Sequence, residues 1–181
     1  MKILVAGDNA NTVMECKQAL EYRGHIVIST ANGQHCLRVY NGRLHKIALH
    51  SDTQALEQPF DVVILDFKLS QIEGLHVARA ILAVNPHQRI ILASEYVKDT
   101  AKGSVVSLNR GIEILPKPFS EQALIDAVED KPIYSELSEM NINIEVLKKA
   151  NLRHEQLTDL LRILKEARRK NHPQPANTRS V

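Results

Sequence analysis

Four polar residues stand within two positions of the end of an apolar run in the sequence: Asp8, Asp66, Ser94 and Lys117. If these runs are neighbouring parallel strands, the four side chains converge at one rim, because ligands of such sheets bind beyond the carboxyl ends of the strands. Two carboxylates that lie close together repel each other unless a cation intervenes, and their hard oxygens suit Mg²⁺. The spacing therefore predicts a magnesium site with a hydroxyl group and an ammonium group beside it.

The strands that would position these residues are five short runs rich in valine and isoleucine, at 3–6, 26–29, 62–65, 90–93 and 112–115. Their apolar residues are continuous rather than alternating, which is typical of parallel strands covered by helices on both faces. Segments with helical spacing lie between them, and this alternation predicts an α/β fold with a doubly wound parallel sheet. All five strand–helix units fall within residues 1–130, which we interpret as one domain.

Two of the predicted helices have recognisable ends. The helix after the first strand is predicted to begin with a capping box from Thr12 to Glu15 and to stop at Gly24. The helix after Asp66 is predicted to stop at Pro86. Each helix has an apolar face at helical spacing, formed by Val13, Cys16 and Leu20 in the first and by Leu75, Ala78 and Leu82 in the second.

The connection from Asn32 to Pro59 is longer than one helix and its loops by roughly a dozen residues. An Asn41-Gly42 pair inside it predicts a break, so that a helix and a turn would be followed by a second short helix or a flexible excursion. We interpret residues 41–59 as an insertion before the third strand. It is either a tolerated surface insertion or a surface specific for a partner.

The composition changes after residue 130, and residues 131–170 are interpreted as a helical C-terminal extension. From Glu145 to Lys170 apolar residues recur at alternating spacings of three and four, as in a heptad seam that lasts under three repeats: Leu147, Ala150, His154, Leu157, Leu161 and Leu164. A lone helix of this length is marginal in water, so its apolar stripe should be covered. A homodimer through this helix is predicted, with packing onto the same chain as the alternative. Residues 171–181 are polar and predicted to be disordered.

Charge and cysteine content exclude several classes of protein. The formal charge is +2, from 23 basic and 21 acidic residues. The overall charge therefore does not favour binding to nucleic acid or to a membrane surface. No window approaches the ~20 apolar residues of a membrane helix, which predicts a cytoplasmic protein. Cys16 and Cys36 are far apart without a CxxC spacing, which argues against a disulfide or zinc site. The extension is too short for a winged helix, and direct DNA binding is not expected.

The chain resembles the receiver domains of two-component response regulators, which are CheY-like. The resemblance covers residues 1–130 and rests on four motifs in order: KILVAGDN, VVILDFKLSQIEG, IILASEY and ILPKPF. It implies a flavodoxin-like fold with strand order 2-1-3-4-5. It also implies that Asp66 accepts a phosphoryl group from a histidine kinase, and that the protein is a phosphoacceptor rather than an enzyme, with self-catalysed phosphotransfer and dephosphorylation.

The resemblance also implies a role for each residue of the rim. Asp8, Asp66 and the main-chain carbonyl of Lys68 would bind Mg²⁺. Ser94 would donate a hydrogen bond to the phosphoryl oxygens, Lys117 would pair with them, and the Lys117-Pro118 bond would be cis. These roles are physically consistent, because a carboxylate attacks phosphorus readily when a cation and a lysine neutralise its oxygens.

Two positions depart from the pattern of the family. Gly7 replaces one of a pair of acidic residues, which puts the affinity for Mg²⁺ in doubt. Ile114 replaces an aromatic residue that moves inward on activation, and Tyr96 is either its substitute or an ordinary half-buried tyrosine. Two hypotheses follow: a phosphorylated stand-alone receiver that signals through protein–protein interaction, or a pseudo-receiver that binds partners without phosphorylation. A flavin-binding protein of the same topology is excluded because GDNANT is too acidic and glycine-poor for a phosphate loop.

Overall fold

One parallel sheet of five strands forms the centre of the fold, in the order β2-β1-β3-β4-β5. The computed structural model describes residues 1–50, 58–95, 112–150, 152 and 154–171. The strands are β1 Lys2–Ala6, β2 Ile26–Thr30, β3 Val62–Asp66, β4 Ile90–Ser94 and β5 Ile112–Pro116. The predicted strands are confirmed to within one residue at each end, and so is the predicted strand order.

The continuous apolar runs are buried as their pattern predicts. All five residues of β4 are buried, and so are the first four of β3. In the register of the sheet, Leu65 pairs with both Ala6 and Leu92, and Asp66 pairs with Ala93. The carboxyl ends of β1, β3 and β4 therefore reach the same edge, and Asp66 stands at that edge on the central strand.

The described helices of the first 125 residues flank this sheet. They are α1 Ala10–Tyr22, α2 Gly33–His50, α3 Gly74–Val84 and the beginning of α4 Glu121–Glu139. The apolar faces of α2 and α3 pack with the sheet in one core, to which α2 contributes Cys36 and Tyr40 and α3 contributes Val77, Ala78 and Ile81. None of the helices in the described part of the chain is long and apolar enough to cross a membrane.

The predicted start of α1 is wrong. The side chain of Asn9 caps the helix and accepts hydrogen bonds from the main-chain N–H groups of Asn11 and Thr12, at 3.0 and 3.2 Å. Asparagine is at least as good a cap as threonine, and Asn9 has the extended backbone that a cap requires. The predicted stop is confirmed, because Gly24 has φ +80° and its N–H donates to the carbonyl of Glu21.

The predicted break at Asn41-Gly42 is also wrong, because α2 is a single helix of 18 residues. A Cβ atom added at Gly42 would meet nothing within 4 Å, so this glycine faces open space. It weakens the helix by about 1 kcal/mol, which the buried face of α2 outweighs. Residues 41–50 therefore extend α2, whereas residues 51–57 of the predicted insertion lie outside the described residues.

The end of α2 is attached to the core by a buried aromatic residue. Tyr40 is fully buried and stacks on Phe60, with 6.1 Å between the ring centroids. Its hydroxyl donates to Gln88 at 2.9 Å and accepts from the amide of Asn85 at 3.0 Å. Residues beyond the Asn-Gly pair pack on the same core: Leu44 contacts it, and the guanidinium of Arg43 lies 4.9 Å from the ring centroid of Phe60. These contacts favour the continuation of α2 past the pair.

The chain divides into two compact units, Met1–Ile125 and Asp126–Val181. The domain boundary that we predicted after residue 130 stays a prediction. The second unit contains the end of α4, then α5 Ile144–Lys149 and α6 His154–Asn171. The prediction of one helix from 145 to 170 is therefore wrong. Ala150 lies in a turn and is exposed, so it is not part of a continuous seam.

The leucines of the predicted seam are nevertheless covered within the second unit. Leu157 and Leu161 of α6 are buried together with Leu137 of α4. Partly buried residues pack around them: Ile133, Tyr134, Met140, Ile142, Ile144, Leu147, Leu152, Leu160 and Leu164. The reversal of the chain before α5, where Asn141 has φ +62°, brings these residues onto α4.

Candidate functional site

Asp66 and Lys117 form an ion pair at the carboxyl edge of the sheet. Asp66 is the last residue of β3, and Lys117 follows the end of β5 directly. The ammonium Nζ of Lys117 lies 2.5 Å from Oδ2 of Asp66, and the two side chains are 20% and 18% exposed. The other oxygen, Oδ1, accepts a hydrogen bond from the main-chain N–H of Lys68 at 3.2 Å. The carboxylate is thus held at the edge but remains accessible to solvent.

Main-chain contacts between neighbouring strand ends fix this arrangement. The N–H of Phe67 donates to the carbonyl of Ala93, which continues the ladder past Asp66. The N–H of Lys117 donates to the carbonyl of Ser94 at 2.9 Å, and the predicted cis bond before Pro118 is present. The start of α3 lies so close that a Cβ atom at Gly74 would be 2.0 Å from the carbonyl oxygen of Asp66.

Asp8 lies after β1 and is held by a residue that the sequence analysis did not identify. Its Oδ2 accepts the main-chain N–H of Ser70 at 2.6 Å, and its Oδ1 accepts the hydroxyl of Ser70 at 3.2 Å. Ser70 belongs to the loop that leaves β3, and this loop returns to the end of β1. The only feature of the sequence that could have pointed to Ser70 was its position between Asp66 and the next helix.

Ser94 is the last residue of β4 and is 1% exposed. Its main-chain carbonyl contacts Lys117, as described above. The predicted contact of its hydroxyl group with a phosphoryl oxygen stays a prediction.

Three of the four rim residues line one cavity of about 740 Å³, and Ser94 is not among its lining residues. Asp8, Asp66 and Lys117 line it together, as their positions at strand ends predict. The other lining residues come from α1, from Glu95 and from the segment that follows β5: Asn9, Thr12, Glu15, Cys16, Ala19, Glu95, Pro118, Phe119, Glu121 and Leu124. The carboxylates among them make the cavity attractive to cations.

The carboxylates of the cavity fit a magnesium ion that keeps part of its water. Within the described residues, no group of three or more His, Cys, Asp or Glu side chains could hold a metal. Asp8 and Asp66 line the cavity with two carboxylates, whereas Lys68, whose main-chain carbonyl is the third predicted ligand, is not among its lining residues. Mg²⁺ is commonly bound by one or two carboxylates together with waters, so this donor set suits it.

Gly7 has little room for the carboxylate that is missing there. A Cβ atom at this position would lie 2.7 Å from Cγ2 of Val13 on α1. Real Cβ atoms do not approach other atoms so closely. The side chain of Val13 therefore occupies the space that an acidic residue at position 7 would need.

The two cysteines are unreactive in this fold. Both are free and buried. Burial, together with the charge of Glu15, raises the pKa of the Cys16 thiol in the wall of the cavity. Burial raises the pKa of Cys36 to about 12. Since thiolates rather than thiols are nucleophiles, neither residue provides covalent chemistry near neutral pH.

Glu95, the first residue after β4, was not identified from the sequence. Its Oε2 lies 3.1 Å from Nζ of Lys68. Ile114 lies within β5, at the position where the family usually has an aromatic residue. Tyr96, the candidate substitute, lies outside the described residues.

Comparisons with known proteins agree with this geometry. The family model described as the response regulator receiver domain matches residues 3–129. A curated relative is the protein-glutamate methylesterase/protein-glutamine glutaminase of group 2 operon from Rhodospirillum centenum, which is 29% identical over 132 residues. The match covers 70% of this chain but 29% of that relative, so the chain spans less than a third of its length.

Solved structures of similar fold come from bacteria and an archaeon. The response regulator receiver domain protein of Clostridium thermocellum has 24% identity and a TM-score of 0.55, covering 73% of this chain and 97% of that one. A CheY-like receiver domain protein of Methanospirillum hungatei has 19% identity and a TM-score of 0.57, covering 72% and 91%. TrrA of Thermotoga maritima, in complex with Mg²⁺-BeF, has 26% identity and a TM-score of 0.53, covering 71% and 96%.

Proposed function

The chain belongs to the response regulator receiver family, and we propose that it accepts a phosphoryl group on Asp66 from a histidine kinase in two-component signal transduction. The ion pair of 2.5 Å between Asp66 and Lys117, at the edge where β1, β3 and β4 end, is the observation that supports this proposal most directly. It joins a nucleophilic carboxylate to a cation that can neutralise the incoming phosphoryl oxygens.

In the proposed reaction, a carboxylate oxygen of Asp66 attacks the phosphorus of a phosphohistidine in line with the bond that breaks. A P–O bond forms, and the imidazole nitrogen leaves with the electron pair of the P–N bond. The other ring nitrogen of the histidine holds a proton, so the leaving group is neutral imidazole. Lys117 pairs with the phosphoryl oxygens, and Ser94 donates its hydroxyl to them. Water later cleaves the acyl phosphate.

Asp8, Asp66 and the main-chain carbonyl of Lys68 would bind Mg²⁺ in this proposal. When bound, the ion neutralises negative charge on the phosphoryl group and on the two carboxylates. Asp8 already stands at the rim, because both of its oxygens accept hydrogen bonds from Ser70. A magnesium-bound form of the Thermotoga relative supports the choice of ion.

We further propose that the phosphorylated chain acts by binding another protein, whose identity is open. Direct binding to DNA is not part of the proposal. The esterase activity in the name of the Rhodospirillum relative is not transferred either, because the match covers 29% of that protein. A homodimer formed through the C-terminal helices stays a prediction from the sequence.

A second candidate is a pseudo-receiver that binds partners without being phosphorylated. The contact between position 7 and Val13 favours it, because the space for a further carboxylate beside Asp8 is filled. The two candidates differ in whether Asp66 takes up phosphate in the presence of Mg²⁺.

The test is phosphorylation of the full chain by acetyl phosphate, with Mg²⁺ or with a chelator. We expect one acid-labile phosphate on the wild type with Mg²⁺, and its loss on chelation and in Asp66→Asn. The control is Asp61→Asn, because Asp61 lies before β3 and caps the main-chain N–H of Lys2 at the opposite edge. An Asp66→Asn protein that is still labelled would contradict the assignment. A wild type that stays unlabelled with Mg²⁺ would favour the pseudo-receiver.

A further inference from the structure

The loop that leaves β3 holds both carboxylates that are proposed to bind Mg²⁺. In this loop, residues 67–73, the main-chain N–H of Lys68 donates to Oδ1 of Asp66 at 3.2 Å. Two residues later, Ser70 donates its main-chain N–H to Oδ2 of Asp8 at 2.6 Å and its hydroxyl to Oδ1 at 3.2 Å. One loop therefore fixes an acid that follows β1 and an acid that ends β3.

Ser70 is itself held by contacts other than those with Asp8. Its neighbour Leu69 is 6% exposed and belongs to the core of the sheet. The carbonyl of Ser70 accepts the main-chain N–H of Ile72 at 2.8 Å. The positive φ of the loop, +66°, falls on Gln71, so a substitution at Ser70 does not meet that constraint. The loop thus presents two donors to Asp8 from an anchored position.

Asp8, by contrast, is exposed and lies on the short link between β1 and α1. An exposed carboxylate without such donors moves among several rotamers, and metal binding then costs the entropy of stopping this motion. The cost matters for Mg²⁺, which demands near-ideal octahedral geometry with ligands at about 2.0–2.1 Å. The two hydrogen bonds from Ser70 remove this freedom before the ion binds.

The same hydrogen bonds leave lone pairs on Asp8 for a cation. An ionised carboxylate has about four lone-pair sites, two on each oxygen. Ser70 uses one site on each oxygen, so one site remains on each for Mg²⁺. The donors of Ser70 are also uncharged, so they do not replace the cation that two carboxylates at one rim require.

From this geometry we infer that Ser70 is a positioning residue for the metal: its hydroxyl and main-chain N–H orient the carboxylate of Asp8 and thereby raise the affinity for Mg²⁺. The inference rests on the proposed Mg²⁺-dependent phosphorylation of Asp66. Because position 7 is a glycine, Asp8 is the single carboxylate between β1 and α1. The orientation of this one side chain therefore has a large influence on the metal site.

The experiment is a calorimetric titration of the full chain with Mg²⁺, which measures binding without a phosphodonor. Ser70→Ala removes the hydroxyl and keeps the main-chain N–H, whereas Ser70→Thr keeps both donors. Asp8→Asn removes the charge of the ligand itself. The matched control is Ser135→Ala, because Ser135 is an exposed serine of α4 that is not among the residues lining the cavity.

We expect Ser70→Ala to weaken Mg²⁺ binding about three- to tenfold. Loss of a group that hydrogen-bonds a metal ligand typically costs about 10–100-fold in affinity, and the remaining main-chain donor reduces the effect here. Ser70→Thr should stay within about twofold of the wild type, because its hydroxyl can make the same hydrogen bond. Ser135→Ala should bind as the wild type does, and Asp8→Asn should bind more weakly than Ser70→Ala.

Labelling by acetyl phosphate separates positioning from a general disturbance of the site. In Ser70→Ala, the Mg²⁺ concentration that gives half of the maximal rate should rise by the same factor as the dissociation constant. The rate at saturating Mg²⁺ should stay within about twofold of the wild type, because the bound ion then fixes Asp8 itself. Thermal unfolding of each variant checks that the fold is retained.

Each contrary result overturns a separate statement. If the wild type binds Mg²⁺ through Asp8 and Ser70→Ala binds it equally well, Ser70 has no positioning role while the proposed function stands. Tighter binding by Ser70→Ala would show that Ser70 competes with the ion. Affinity that Ser70→Thr does not restore, or a lower rate at saturating Mg²⁺, would assign the effect to the fold of the loop. If the wild type does not bind Mg²⁺, or Asp8→Asn binds it as tightly, the metal site of the proposed function fails, and this inference fails with it.

Discussion

Gly7 shows how a single missing side chain is linked to the packing behind the site. An acidic residue usually stands at this position in the family that the chain resembles. In this chain a Cβ atom there would lie 2.7 Å from Val13. Forcing an extra group into such a contact destabilises a protein by about 1–3 kcal/mol. The absence of the second acid is therefore coupled to the presence of valine at position 13.

We predict that Gly7→Asp alone lowers the free energy of unfolding by about 1–3 kcal/mol, because Val13 must move. The double variant Gly7→Asp/Val13→Ala should recover part of this loss and should bind Mg²⁺ more tightly, since a further carboxylate joins Asp8. Urea denaturation and magnesium titration calorimetry measure the two effects. Val13→Ala is the control, and equal tightening in that single variant would show that the new carboxylate is not responsible.

The residues at strand ends could be predicted from the sequence, whereas their neighbours in loops could not. Asp8, Asp66 and Lys117 meet in one cavity because parallel strands end at one edge. Ser70 reaches Asp8 through a loop in which Gln71 has φ +66°. No pattern of apolar residues specifies such a conformation, and Lys68, the partner of Glu95, lies in the same loop.

At the scale of elements, two glycines have opposite surroundings. Gly42 lies inside α2 and faces open space, whereas Gly74 begins α3 against the carbonyl oxygen of Asp66. Sequence alone treats both as helix breakers or ends. The structure distinguishes them because one position is solvated and the other is in contact with the backbone of Asp66.

We predict that Gly42→Ala raises the free energy of unfolding by about 0.5–1 kcal/mol, because alanine loses less conformational freedom in a helix. Gly74→Ala should lower it by about 1–3 kcal/mol, since its methyl group collides with the main chain at Asp66. Chemical denaturation of the two variants side by side measures both. Destabilisation by Gly42→Ala would mean that the chain does need a break at this position.

The strands were predictable because a strand that is buried on both faces appears in the sequence as a continuous run of apolar residues. The course of α2 was not, because the local preference of Asn41-Gly42 for a turn is weaker than the packing of the helix on both sides of it, by Tyr40 before the pair and Leu44 after it. The start of α1 was misplaced by a similar ambiguity. Both Asn9 and Thr12 can cap a helix. Because β1 ends at Ala6 and α1 begins at Ala10, Asn9 is the residue that caps it.

At the scale of the whole molecule, the second unit bears on the prediction of a homodimer. That prediction assumed an apolar stripe on a lone helix. Leu157 and Leu161 are instead buried against Leu137 in the same chain. The apolar side of the helix must be covered from water, and packing within the chain covers it without a second copy. Self-association through the tail stays a prediction, and the face available for it among the described residues of α6 includes Ile163, which is 56% exposed.

Two substitutions on α6 separate packing within the chain from packing between chains. We predict that Leu161→Asp lowers the stability of the second unit by about 3 kcal/mol or more, because it puts a charge into the cluster around Leu137. Ile163→Asp, two residues away on the exposed face, should leave stability within about 0.5 kcal/mol of the wild type. Thermal unfolding measures the first effect, and sedimentation of the full chain measures the mass. A wild type with the mass of one chain would favour packing within the chain over the homodimer predicted from the sequence. A wild type with twice that mass, returned to one chain by Ile163→Asp, would establish dimerisation through the outer face of α6.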